Sequence, residues 1–203
     1  MAGRRRESFA EARARRGAVD DPAVVLEAAA RFLEARSRSV QEVRRRLTGA
    51  GYRPELVEAA IGRLTELGML DDAVFAQAWV ESRDRARPRG ERAIREELRT
   101  RGIDRSVVDD VLDARRVAAF DQTADEDDRR APVSADRAAA ERLLARHART
   151  LARIDDVRRR RQRAYALLAR NGFDPETCRE AAATVIGAAD EPADEPADEG
   201  DEA

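Results

Sequence analysis

Arginine is the residue with the greatest capacity for chemistry in this sequence: it supplies all 39 basic side chains, and there is no lysine. A guanidinium group offers paired N–H donors that match the geometry of a phosphate or a carboxylate. The arginines concentrate in three clusters, at 36–46, 83–101 and 149–163. These clusters favour a polyanionic or acidic protein partner, bound without readout of base sequence. The alternative is a set of solvated helix faces with Glu–Arg pairs such as Glu97–Arg101.

The side chains needed for catalysis or metal binding are scarce. Without lysine there is neither a phosphate-binding P-loop nor a Schiff-base nucleophile. The single histidine and single cysteine, His147 and Cys178, are too few for a zinc site. Asp71 and Asp72 are adjacent, but their place before a helix is typical of N-terminal capping rather than of acid–base chemistry. We therefore expect no enzyme activity, no metal and no cofactor.

The elements that carry these residues are predicted to be helices throughout. Asp21 and Pro22 form an N-cap followed by proline at the first helical position. Ser39 and Glu42 have the spacing of a capping box, and Gly51 suits a left-handed C-terminal cap. No stretch shows the sustained alternation of β-branched residues that strands require. The predicted fold class is all-α.

A helical unit repeats three times along the chain. The segment 43–47 aligns with 94–98 and with 164–168, and each is followed four residues later by a glycine. In this register Cys178 falls at the position of Val57 and Val108, which predicts a buried small hydrophobic residue rather than a nucleophile. Trp79 is predicted to belong to the core of the second unit, on one helical face with Val74, Phe75 and Ala78.

The predicted organisation is an elongated, curved array of three tandem three-helix repeats, at 22–70, 71–116 and 136–188. A flexible arginine-rich arm is expected at 1–21, an acidic linker at 117–135 and a disordered acidic tail at 189–203. With 39% charged and 4% aromatic residues, the chain is too polar for one large core. No apolar run approaches the roughly 18–20 residues of a membrane span, and no hydrophobic stretch follows the N-terminal arginines. We expect a cytoplasmic monomer.

Two stretches resemble a known family. The run LGMLDDAVFAQAWVESR at 67–83, followed by RPRGERAIREELRTRGI at 87–103, is similar to the signature of RecX, the bacterial regulator of the RecA recombinase. The segment VRRRLTGAGYRPELVEAAIGRL at 43–64 resembles the first repeat of that family, and 164–185 is a weaker match to its third. The resemblance covers about 22–115 strongly and 136–187 moderately.

The resemblance implies a non-enzymatic modulator that binds RecA and its filament on single-stranded DNA. Such proteins lie along the filament groove, restrain its ATPase, strand-exchange and coprotease activities, and have weak affinity for DNA itself. A general nucleic-acid-binding helical module is the alternative, because a helix–glycine–helix turn also suits DNA binding. We expect the contacts to be Arg83, Arg87, Arg89 and Arg92 first, then Arg44, Arg45, Arg46, Arg99 and Arg101.

Overall fold

The computed structural model describes residues 8–123 and 134–187. Within these ranges all regular structure is helical, which confirms the predicted all-α fold. None of the helices in the described ranges has the length and apolar character that crossing a membrane requires. The helices are α1 (Phe9–Gly17), α2 (Pro22–Glu34), α3 (Val40–Ala50), α4 (Pro54–Glu66), α5 (Asp72–Ala86), α6 (Glu91–Thr100), α7 (Arg105–Thr123), α8 (Ala135–Leu151), α9 (Val157–Arg170) and α10 (Pro175–Gly187).

Nine of these helices form three tandem three-helix units, as the sequence repeat predicts. Unit 1 contains α2–α4, unit 2 contains α5–α7 and unit 3 contains α8–α10, and each unit encloses its own cluster of buried apolar side chains. The predicted caps form as expected. Ser39 and Glu42 make a reciprocal capping box at the start of α3, and Asp71 accepts hydrogen bonds from the first backbone N–H groups of α5.

The middle helix of each unit ends in the same way. A glycine with a positive φ follows it, at 104° in Gly51, 79° in Gly102 and 85° in Gly172. A side chain at these positions would be strained, so glycine is the residue that ends the helix. Four residues before each glycine lies a buried leucine, as the alignment predicts. The repeat register read from the sequence is therefore confirmed.

Two regions differ from the predicted organisation. Within the predicted flexible arm, α1 forms with a capping box between Ser8 and Glu11. Arg13 and Arg16 of α1 donate hydrogen bonds of 3.2 and 3.0 Å to carbonyl oxygens at the end of α3. Helix α7 continues to Thr123, into the predicted linker. The rest of that linker, the first seven residues of the arm and the predicted tail lie outside the described residues.

Neighbouring units are joined at the ends of their middle helices. The carbonyl oxygen before the capping glycine accepts a hydrogen bond from the preceding unit. Ser39 Oγ donates to Arg101 O at 2.8 Å, and Gly90 N donates to Asn171 O at 3.1 Å. Ser39 and Gly90 are the N-caps of α3 and α6, so both joints connect the same parts of the repeat. A Cβ at Gly90 would lie 2.3 Å from the carbonyl oxygen of Gly172, so this joint requires glycine.

The joint between units 2 and 3 also contains a buried ionic cluster. The side chain of Arg115 is only 7% exposed and donates to both Asp84 and Asp136, at 2.8 and 2.6 Å. Asp136 also accepts from the backbone N–H of Glu91 at the start of α6. Burial would lower the pKa of Arg115, but its hydrogen bonds to the two carboxylates more than offset this and raise it. The guanidinium therefore stays charged and fixes α7 against α5 and α8.

Candidate binding surface

Two of the arginines predicted to bind a partner, Arg83 and Arg101, lie against Trp79, and Arg101 also connects unit 2 to unit 1. Arg101 pairs with Glu42 of unit 1, and its guanidinium lies 3.7 Å from the ring centroid of Trp79. Arg83 lies 4.1 Å from the same ring and donates to Glu97 at 2.6 Å. Trp79 Nε1 donates to the same carboxylate at 2.8 Å. The Glu97–Arg101 pair, the example given for the alternative of solvated helix faces, does not form, because Glu97 pairs with Arg83 and Arg101 pairs with Glu42.

Trp79 packs against the core of unit 2, as predicted, but the buried face of α5 differs from the prediction. Phe75, Ala76 and Val80 are the buried residues of this helix. Val74 is 64% exposed, so it lies outside the core. The hydrophobic pattern of α5 does not identify this face, because seven of the eight residues 73–80 are apolar and so surround the helix.

Three further predicted arginines are also paired. Arg44 donates to both carboxylate oxygens of Glu58, at 2.6 and 2.7 Å. This hydrogen-bonded pairing raises the pKa of Arg44 and lowers the pKa of Glu58. Arg99 makes a similar pair with Glu96 on the exposed side of α6. Arg89 crosses the second joint and donates to the side chain of Asn171 in unit 3 at 2.8 Å.

The other four predicted arginines have no carboxylate within ion-pair distance in the described part of the chain. Arg45 donates to backbone carbonyl oxygens of Gln41 and Thr100, and Arg46 lies near the ring of Phe32. Arg87 and Arg92 are exposed at the end of α5 and the start of α6. Arg45 lines a cleft of about 420 Å³ with Arg83 and Arg101, whereas Arg92 lies in a second cleft against unit 3. The nine predicted residues therefore do not form one continuous row of free cations.

Unit 3 differs sharply from unit 2 in how its arginines are used. In unit 2, residues 71–116, eight of the eleven arginines have a carboxylate within 4.0 Å. In the described residues of unit 3, 134–187, only three of twelve do, namely Arg137, Arg142 and Arg159. The arginines without such a partner among the described residues are Arg146, Arg149, Arg153, Arg158, Arg160, Arg161, Arg163, Arg170 and Arg179.

The numbers of acidic residues and arginines in the sequence already show this difference between units 2 and 3. Residues 71–116 contain eleven acidic side chains and eleven arginines, so each cation has a potential partner nearby. Residues 134–187 contain seven acidic side chains and twelve arginines. The site prediction favoured unit 2 because its arginine cluster lies within the stretch 67–103 that carries the family resemblance. The excess of unbalanced positive charge lies in unit 3, around the end of α8 and the start of α9.

The side chains considered for catalysis or metal binding are buried in the core or hydrogen-bonded to the backbone. Cys178 is fully buried, as the repeat alignment predicts, and burial raises the pKa of its thiol. His147 Nδ1 lies 3.0 Å from the carbonyl oxygen of Leu143, one turn earlier on α8. Asp72 accepts from the backbone N–H of Val40 at 2.9 Å and so contributes to the first joint. Among the described residues no group of three or more His, Cys, Asp or Glu could hold a metal ion.

Comparison with known proteins identifies the two N-terminal units. Residues 26–64 match the family "RecX, first three-helix domain", and residues 71–112 match "RecX, second three-helix domain". These matches coincide with the helical parts of units 1 and 2.

Curated relatives extend the similarity over most of the chain. "Regulatory protein RecX" of Mycobacterium avium (strain 104) is 34% identical over 143 residues, which is 70% of this chain and 73% of the relative. The protein of the same name from Mycobacterium leprae (strain Br4923) is 32% identical over 158 residues, covering 78% and 83% of the two chains. The solved structure "Crystal structure of RecX from Lactobacillus salivarius" is 20% identical with a TM-score of 0.63, covers 84% of this chain and 97% of that one, and so shares the fold. Together with the repeat signature at 67–103, these matches establish that the chain belongs to the RecX family of regulatory proteins.

Proposed function

We propose that this chain is a non-enzymatic regulator of the RecA recombinase. It binds RecA and the RecA filament on single-stranded DNA in the filament groove, and it inhibits the ATPase, strand-exchange and coprotease activities. It acts in the cytoplasm as a monomer, and its own affinity for single-stranded DNA is weak and independent of sequence.

One observation carries this proposal beyond family membership. Both joints use the equivalent backbone carbonyl oxygen, so the three units keep one defined arrangement. In that arrangement, most arginines of unit 3 have no carboxylate partner among the described residues. A groove lined with phosphates and acidic side chains would supply those partners.

Of the nine predicted contacts, Arg45, Arg46, Arg87 and Arg92 remain the best candidates, because no carboxylate among the described residues competes for them.

The test is the single-stranded-DNA-dependent ATPase of the cognate RecA, titrated with this protein at fixed DNA. We expect inhibition well below one regulator per RecA, at a salt concentration where the protein scarcely binds bare DNA. Arg87→Ala with Arg92→Ala should raise the concentration needed for inhibition. Arg99→Ala serves as the matched control, because Arg99 is equally basic and exposed but is paired with Glu96.

A general nucleic-acid-binding module is the second candidate, and the unbalanced arginines of unit 3 favour it. Such a module would bind bare single-stranded DNA as tightly as DNA coated with RecA. Inhibition that disappears when excess DNA is added would support this candidate and exclude the filament regulator.

A further inference from the structure

The largest unbalanced charge among the described residues lies at the corner between α8 and α9. Arg149 precedes the end of α8, Arg153 lies in the connection, and the first two turns of α9 carry further arginines. We define the α8–α9 arginine cluster as Arg149, Arg153, Arg158, Arg160, Arg161 and Arg163, all exposed except Arg160, which is half-buried. Arg160 donates to the carbonyl oxygen of Ile154. No member of the cluster has a carboxylate within ion-pair distance among the described residues.

The electrostatics of the helix do not explain this arrangement. The N-terminus of a helix is the positive end of its dipole, which favours acidic side chains and disfavours arginine. Five arginines nevertheless stand in the six residues 158–163. Asp156 caps the helix by accepting from the N–H of Arg159 at 2.9 Å, and it is the nearest acid to that run in the sequence. An external negative charge would therefore stabilise this corner of the fold.

The chain itself carries such a charge close by. Helix α10 follows α9 after a four-residue connection, and the two helices pack against each other extensively. They are of similar length, about 21 and 20 Å, so the end of α10 lies within about one helix length of α9. Only two residues, 188 and 189, separate Gly187 from the first acid of the sequence DEPADEPADEGDEA at 190–203. The sixteen residues after α10 can extend to about 50 Å, more than twice the length of α9.

We propose that the segment 190–203 binds the α8–α9 arginine cluster of its own chain. The segment contains eight acidic side chains and no basic one, which complements the six arginines of the cluster. Because the segment is tethered, its effective concentration at the cluster is in the millimolar range, so weak contacts suffice to occupy it. The segment then competes with phosphates and with acidic protein surfaces for the same guanidinium groups, and regulates access to them. This inference concerns the basic surface alone and stands whether or not RecA is the partner.

The experiment uses a fluorescent peptide with the sequence 190–203 as the probe, with RecA and DNA absent. Its binding is measured by anisotropy at low salt against two full-length proteins: the natural chain, and a chain in which the eight acids of 190–203 are replaced by Asn and Gln. The chain with the neutral segment should bind the peptide at least about tenfold more tightly, since its cluster is not already occupied. Raising the salt to about 0.5 M should abolish binding to both.

Two variants of the chain with the neutral segment locate the site. Arg158→Ser, Arg161→Ser and Arg163→Ser together should remove most of the peptide binding. Arg99→Ser should leave it unchanged, because Arg99 lies in unit 2 and is paired with Glu96. Circular dichroism checks that each variant remains helical. The proposal is overturned if the peptide binds both full-length proteins equally, if it does not bind the chain with the neutral segment, or if the triple variant binds as well as the Arg99→Ser control.

Discussion

Units 2 and 3 have nearly the same arginine content and use it in opposite ways. In unit 2 the guanidinium groups of Arg83 and Arg101 lie against Trp79 and pair with carboxylates, one of which belongs to unit 1. In unit 3 most arginines are exposed and lack a carboxylate among the described residues. Arginine density alone therefore does not indicate a binding surface. The local balance between arginines and acids is the better guide, because a carboxylate nearby converts a potential contact into an internal one.

The largest expected effect concerns the buried cluster that fixes unit 2 against unit 3. Arg115→Ala leaves Asp84 and Asp136 without their shared partner, and breaking a buried ion pair costs about 3–5 kcal/mol of unfolding free energy. Arg116→Ala is the control, because this neighbouring arginine is 53% exposed and paired with Glu91 at the surface. It should cost about 1 kcal/mol or less. Denaturant unfolding measures both, and equal losses would contradict a structural role specific to Arg115.

The comparison also predicts that the two units differ in their surfaces and not in their cores. Leu98 and Leu168 are equivalent, fully buried leucines of the middle helices. Leu98→Ala and Leu168→Ala should each lower the free energy of unfolding by about 2–5 kcal/mol. A negligible loss at Leu168 would mean that unit 3 is held less firmly than its packing indicates, and that its unpaired arginines reflect a loosely formed unit.

Arg101 and Arg99, at the end of α6, allow a partly buried ion pair to be compared with an exposed one. Arg101→Ala removes a partly buried pair with Glu42 and a cation–π contact, which we expect to cost about 1–2 kcal/mol. Arg99→Ala removes only an exposed pair and should cost about 0.5 kcal/mol or less. Thermal unfolding followed by circular dichroism compares them. If both changes prove neutral, Arg101 is free to bind a partner and belongs with the arginines of unit 3.

The smallest effect on stability is expected in the α8–α9 arginine cluster. Arg161→Ser should change the free energy of unfolding by no more than about 0.5 kcal/mol, because the side chain makes no contact that the fold needs. If Arg161 contacts a phosphate, the same change should reduce the slope of log affinity for oligo-dT against log salt by about 0.7. Titrations at several salt concentrations give this slope. An unchanged slope would show that Arg161 does not reach the phosphates.

The sequence predicts the repeat register because that register depends on local signals. A buried leucine and a glycine four residues later recur at fixed spacing in all three units, and the structure places Leu98 and Gly102 accordingly. An acidic cap on the next helix follows in units 2 and 3, at Asp104 and Asp174. Burial of Cys178 could be predicted for the same reason. The site could not be predicted as well, because the partners of its arginines are distant in sequence. Arg101 meets Glu42, 59 residues earlier, and not Glu97 on its own helix.

Helix α1 could not be predicted from hydrophobic periodicity. None of its residues is buried, so no apolar pattern marks it, and the sequence around it predicts a flexible arm. Its capping box, Ser8 with Glu11, is readable in the sequence but is a weak signal by itself. Arg16 of α1 donates to the carbonyl oxygen of Ala50, the residue equivalent to Arg101 and Asn171 at the two joints. The helix therefore occupies the place that a preceding unit would take, a contact that depends on tertiary structure.

The most direct test of the difference between units 2 and 3 is the half-inhibitory concentration in the ATPase assay of the cognate RecA. Three proteins are compared: the natural chain, the triple variant Arg158→Ser, Arg161→Ser and Arg163→Ser, and the Arg99→Ser control. If each lost contact is worth about 0.5 kcal/mol, the triple variant should require about tenfold more protein for inhibition. The Arg99→Ser control should match the natural chain. A triple variant that inhibits as well as the natural chain, with full helicity, would contradict the proposal that the unpaired arginines of unit 3 contact the filament.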